Sequence, residues 1–186
     1  LGEPLNFTEE YSSWRMMTGD STHVTLNATN SFPRSILLSE IEVTKTPDRH
    51  YDAAGNPTYF RFTGLSGPDS GNATISQDVE GRTVIHWNVS GGQLGFGETN
   101  QIEFDAWSPE NLSIDWHDYE DWAAWMRIGN ISASFTVNGT MSGIELINVT
   151  GISPAARFAV SKERTNETHW NATFNITNDA VAALDY

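Results

Sequence analysis

Apolar and polar residues alternate along most of this chain with a period of two, the spacing that puts one face of an extended strand in a core and the other in water. The alternation runs through Val24-Thr25-Leu26-Asn27-Ala28, Ile41-Glu42-Val43, Tyr59-Phe60-Arg61-Phe62, Thr83 to Val89, Gln101-Ile102-Glu103-Phe104, Ile131 to Val137 and Trp170 to Ile176. Between these runs lie clusters of Gly, Pro, Asn and Asp: Asp52 to Pro57, Gly64 to Gly71, Gly91 to Gly97 and Asn138-Gly139. Such residues supply the backbone freedom and side-chain caps that tight turns need. The expectation is an all-β antiparallel sandwich. One stretch departs from the pattern. From Asp118 to Ile128, Trp122, Trp125 and Met126 fall at i, i+3 and i+4 behind a first turn rich in carboxylates, which predicts one short helix over 118–128 closing an end of the sandwich. Its tryptophans read as a plug for that end, or as a platform for stacking sugars.

Eleven of the fifteen asparagines stand in Asn-x-Ser/Thr triplets without proline: Asn6, Asn27, Asn72, Asn88, Asn111, Asn130, Asn138, Asn148, Asn166, Asn171 and Asn175. With Ser and Thr making up about a fifth of the chain, roughly three would arise by chance. The excess reads as selection for N-glycan acceptors. A glycan is bulky and hydrophilic, so each modified asparagine must face solvent. Asn27, Asn88, Asn171 and Asn175 fall on alternate strand positions, which places covalent N-glycans on outer sheet faces and the protein outside the cell.

At 186 residues the chain holds one domain with a sizeable core, or one domain and part of a second. It has no cysteine, so the disulfides that usually staple small extracellular modules are absent and stability must come from the core, bound ions or neighbouring subunits. No apolar run approaches the roughly 18 residues of a membrane span. The chain opens on Leu1 with no leader pattern and reads as a mature product whose leader has been removed. A net charge of −14 excludes a nucleic-acid-binding surface. Only Lys45 and Lys162 are lysines, against eight arginines. Acidic surplus, scarce lysine and absent cysteine resemble the secreted proteins of salt-loving archaea.

A short repeat links the two halves: Leu26-Asn27-Ala28-Thr29-Asn30 recurs as Phe174-Asn175-Ile176-Thr177-Asn178, each copy following a Thr-His pair. An apolar-polar strand ending in Thr-Asn, with a later Gly-x-x-Glu-Thr-x-x-Ile-x-Phe run at Gly95 to Phe104, resembles the immunoglobulin-like modules of microbial surface proteins. The likeness covers about forty residues. It departs from that pattern in lacking a cysteine pair and an identifiable strand-C tryptophan, and in carrying an insertion between Pro47 and Ser70. It implies an immunoglobulin-like sandwich over 13–153, with 154–186 either part of it or the start of a second repeat.

An unpaired strand must be covered, and a head-to-tail gift of one strand to the next subunit propagates into a filament. A glycosylated, cysteine-free, all-β subunit of this size resembles those of archaeal extracellular threads and bundling pili, and the resemblance implies a homopolymer that meets other cell-surface glycoproteins. Two segments qualify as donor. The tail alternates Trp170, Ala172, Phe174 and Ile176; the N-terminal segment 1–12 alternates Leu5 and Phe7 and is the preferred donor, because an end leaves its domain more freely than an embedded strand.

Catalytic signals are sparse. His23, His50, His86, His117 and His169 are scattered, and no Gly-x-Ser-x-Gly elbow is present. The densest polar cluster, Asp115, His117, Asp118, Glu120 and Asp121, offers hard oxygen ligands to calcium through Asp115, Asp118, Glu120 and Asp121, although its spacing is not that of an EF-hand and favours a solvated acidic face over a metal site. Seven tryptophans keep a carbohydrate-binding or adhesin module as the alternative, beside one domain of a surface-layer protein. The expectation is a structural subunit and not an enzyme.

Overall fold

The computed structural model describes residues 5–13, 15–31, 37–112, 124–137, 140–152, 156–164 and 170–178, most of them in β-strands. In chain order these are β1 (Leu5–Tyr11), β2 (Arg15–Met16), β3 (Ser21–Asn30), β4 (Leu38–Pro47), β5 (Arg49–Tyr51), β6 (Pro57–Tyr59), β7 (Arg61–Ser66), β8 (Ala73–Gln77), β9 (Thr83–Asn88), β10 (Gln93–Leu94), β11 (Thr99–Trp107), β12 (Ala124–Val137), β13 (Thr140–Ile152), β14 (Ala156–Arg164) and β15 (Trp170–Asn178). One sheet has the order β1-β3-β11-β7 and the other β2-β13-β12-β4-β9-β8, with β10 rejoining β4 after a turn. Lettered by chain order as in an immunoglobulin domain, β1-β3-β11-β7 is A-B-E-D and β13-β12-β4 is G-F-C. Strands β5, β6 and β7 occupy the stretch where the sequence carries its insertion, and β5 and β6 form a separate two-stranded sheet there. Pairing is antiparallel except for β2, which runs parallel to β13.

The core lies where the inward sets of both sheets meet. Val24, Leu26 and Ala28 of β3 and Ile102, Phe104 and Ala106 of β11 face Ile41 and Val43 of β4, Ile85 and Trp87 of β9, and Ile131, Ala133 and Phe135 of β12. Trp87 is the largest side chain among those fully buried. The Phe62 and Phe104 rings meet edge to face with centroids 5.2 Å apart, the geometry their quadrupoles favour. One side of the sandwich is drawn together where Phe62 N donates to Thr83 Oγ1 at 2.7 Å, tying β7 to the start of β9.

The helix expected over 118–128 is corrected in its described part: Ala124 to Ile128 open β12, with Ala124, Trp125 and Met126 opposite Ile152, Gly151 and Thr150. The i, i+3, i+4 spacing that suggested a helix is short. The same residues run on, past a register shift between Arg127 and Gly129, into the alternation from Ile131, and pairing with β13 satisfies backbone groups that a helix would otherwise pair locally. Residues 118–123 lie outside the described set. Near this point β12 crosses β4 so closely that only glycine fits. A Cβ on Gly129 would fall on the Thr46 carbonyl oxygen and 2.9 Å from Pro47 Cα. The Leu26–Asn30 half of the repeat ends β3, where buried Asn30 donates from Nδ2 to Leu94 O at 2.8 Å and fixes the turn into β11. The Phe174–Asn178 half lies in β15, paired along its length with β14 from Ala156↔Asn178 to Arg164↔Trp170.

Candidate functional site at the edge strand

β1 is the edge of its sheet. Its sequence, Leu5-Asn6-Phe7-Thr8-Glu9-Glu10-Tyr11, alternates so that Leu5 and Phe7 enter the core while Asn6, Thr8 and Glu10 stay outside. All seven residues pair with β3, from Leu5↔Asn30 to Tyr11↔Val24. The inward set continues past Phe7 into polar residues. Glu9 reaches Lys45 of β4 in the facing sheet, Nζ to Oε1 at 3.0 Å, with side-chain exposures of 3% and 0%. Lys45 Nζ also donates to Glu9 Oε2 at 3.4 Å, and the Tyr11 hydroxyl donates to Glu9 Oε2 at 2.5 Å. Burial lowers the proton affinity of Lys45 while the Glu9 charge opposes that shift. Burial, and then the same charge, push the Tyr11 hydroxyl well above the usual phenol range.

After Tyr11 the chain crosses toward the other sheet, and this crossing is pinned by its own bonds. Ser12 N donates to His23 O at 2.9 Å, Ser13 N to Thr22 Oγ1 at 3.0 Å, and Thr22 Oγ1 to Ser13 O at 2.5 Å. β1 is thus a strand whose base is fixed and whose remaining hold is one ladder, two apolar pockets and an ion pair. Leu5 and Phe7, the residues assigned to donation, fill a groove of their own chain here. The Glu9–Lys45 pair escaped the sequence reading, yet its signal was present: Lys45 holds the inward phase of Val43, and Glu9 that of Leu5 and Phe7.

The sequons divide between both sheet faces and the loops. Asn6 is exposed on β1 and Asn27 half-buried on β3. Their triplets cross-pair, with Asn6 opposite Thr29 and Thr8 opposite Asn27, and Asn27 Nδ2 donates to Thr8 Oγ1 at 3.4 Å. On the outer face of the second sheet, Asn88 lies opposite Glu42 and Asn130 opposite Thr46. Asn72 and Asn111 are exposed in turns. Asn148 lies on β13, and Asn171 and Asn175 on β15; Asn138 and Asn166 are outside the described residues.

The calcium candidates Asp115, Asp118, Glu120 and Asp121 also lie outside the described residues, among which no three His, Asp or Glu side chains gather to hold a metal. On the exposed sheet face His23 Nδ1 stands 2.9 Å from Asp105 Oδ1 and Nε2 3.4 Å from Glu103 Oε2. The Asp105 hydrogen bond first, helped by Glu103, raises its proton affinity. His50 is buried, its Nε2 donating to Arg127 O at 2.6 Å, and burial lowers its proton affinity. Trp87 is in the core, and Trp107 donates from Nε1 to Thr63 Oγ1 at 3.0 Å beneath the Arg61 guanidinium, 5.4 Å from its ring. Shallow open depressions of about 420 and 450 Å³ are lined by Ser13, Met16, Asp20 and Trp107, and by Glu40, Glu42, Asn88 and Gln93.

No family model matches the chain, and no curated protein does. Among solved structures it is similar to Spo0M, a sporulation control protein from Bacillus subtilis, at 9% identity over 96% of this chain and 69% of that one, TM-score 0.38. It is also similar to AvmM, described as catalysing macrocyclization in alchivemycin A biosynthesis, at 8% identity over 83% of this chain and 92% of that one, TM-score 0.40. Likenesses this distant carry no argument about function.

Proposed function

We propose that the chain is a structural subunit of a cell-surface filament of the archaeal thread or bundling-pilus type, secreted, densely N-glycosylated and joined head to tail to its own copies by strand donation. The observation that carries this reading is β1, an edge strand fixed at its base, with a full ladder to β3 and two buried apolar side chains; the same strand of a neighbour, identical in sequence, would make the same bonds. Exchange between identical grooves costs no native contact, and an exchange that is not returned propagates as a chain of subunits. The acceptor asparagines support the reading from another side. Glycans on the outer faces of both sheets hold those faces apart and leave edges and ends for assembly.

A staple tests it. Glu10 and Thr25 are ladder partners on the outer face, and directly paired antiparallel residues have Cα atoms about 4.5–5.5 Å apart, within disulfide reach. In a chain with no other thiol, Glu10→Cys with Thr25→Cys can form only this bond within one chain. The oxidised protein should stay monomeric and polymerise after reduction; filaments from the oxidised protein would overturn strand donation.

The carbohydrate-binding alternative rests on the depression beside Trp107 and Asp20. Saturable binding of a defined oligosaccharide, lost in Trp107→Ala, would favour it.

A further inference from the structure

Among the described residues, the groove that β1 fills holds one enclosed cation, Lys45, which rises from β4 between the inward residues Val43 and Pro47. We infer that Lys45 selects the strand that enters this groove, admitting the pattern Leu-x-Phe-x-Glu-x-Tyr from a second copy of the chain and rejecting strands that are apolar throughout. The inference deepens the filament reading and rests on it for the source of the strand. Pockets for Leu5 and Phe7 alone would accept almost any alternating apolar segment, so they set affinity without setting identity. An enclosed ammonium changes that. A strand with no carboxylate at the fifth position leaves the charge buried and unpaired, and a two-residue slip carries Glu9 away from Lys45 and puts an aromatic residue in its place. One ion pair therefore specifies both partner and register.

The same argument decides between the two donors that the sequence offers. In β15 the alternate positions hold Trp170, Ala172, Phe174 and Ile176 on one phase and Asn171, Thr173, Asn175 and Thr177 on the other. Neither phase contains an acid. β15 has the longer apolar run, yet it holds no carboxylate to pair with Lys45, whereas β1 brings Glu9 to 3.0 Å and Tyr11 to hold that carboxylate from its other oxygen.

The test uses the full chain and fluorescent peptides of residues 1–11 bearing Glu9, Glu9→Gln or Glu9→Lys, exchanged in by warming and measured by anisotropy. The Glu9 peptide should be retained on the order of 100-fold more tightly than either variant, and a Lys45→Glu chain should prefer the Glu9→Lys peptide. If that chain does not fold, the three peptides on the wild-type chain decide alone. Binding of all three within about 3-fold of one another, or retention of none, overturns the inference. Filaments without peptide selectivity would remove only the role of Lys45; selectivity without filaments would remove only the filament reading.

Discussion

Glu9→Gln keeps the shape of the buried pair and removes its charge, which makes its cost calculable. At 3.0 Å the attraction is about 5 kcal/mol at an effective dielectric constant near 20, and it is largely offset by the several kcal/mol needed to desolvate each ion. Removing one partner leaves the desolvation of Lys45 without compensation, a loss of about 3–5 kcal/mol. The loss has a ceiling. Lysine can shed its proton, at a cost set by the distance of the pH from its unfolded value of 10.5, which is about 4.8 kcal/mol at pH 7 and about 2 at pH 9. Because the native Lys45 site binds protons less readily than the unfolded chain, the penalty is fully present at low pH and shrinks as pH rises toward 10.5. Urea unfolding of wild type and Glu9→Gln at pH 7 and pH 9 measures both numbers. A loss under about 1 kcal/mol at pH 7, or an equal loss at both pH values, would show that the pair is solvated and refute the reasoning.

Other consequences concern the fold and its coat. Gly129→Ala forces β12 off β4 and should cost about 2–4 kcal/mol, whereas Gly71→Ala, with open space around its Cβ, should stay within about 0.5 kcal/mol; thermal melts of the two variants compare them. His50 is held below its ordinary value of 6.5, so the unfolded state takes up more protons below that pH and stability falls as the pH drops from about 6.5. In His50→Gln this component of the slope should vanish, which urea midpoints between pH 5 and pH 8 would register. More than half of the eleven sequons should carry glycans when the protein is taken from its native cell surface, and an intact mass equal to the bare 20.6 kDa chain would remove the argument for export.

The alternation was a reliable guide wherever a strand has one wet face. It marked β3, β9, β11 and most of β12, because their outward residues are polar and their inward ones apolar, and it marked β15. It passed over β13 and β14. In β13 the run Ile144-Glu145-Leu146-Ile147 follows Gly143 and breaks the period, and β14 mixes charged and apolar residues on both phases. The misread helix has the same root, since three apolar residues at i, i+3 and i+4 fit two periodicities and only the pairing with β13 decides between them. Partnership was the least legible layer. Glu9 and Lys45 lie 36 positions apart, and their meeting depends on which sheet each strand joins, which the local pattern does not encode. The turn residues were clearer: Gly55, Gly91 and Gly97 adopt positive φ between strands, while Gly64 adopts it inside β7, beside the register shift against β11.

The central claim is that copies of this chain join end to end through β1. Electron microscopy of the glycosylated full-length protein, concentrated at high salt, tests it most directly. The account predicts threads one subunit wide in which the density of each groove is filled by the Leu5–Tyr11 strand of the neighbouring copy. Discrete particles with the mass of a single glycosylated chain at every concentration, each with its own strand in its own groove, would contradict it.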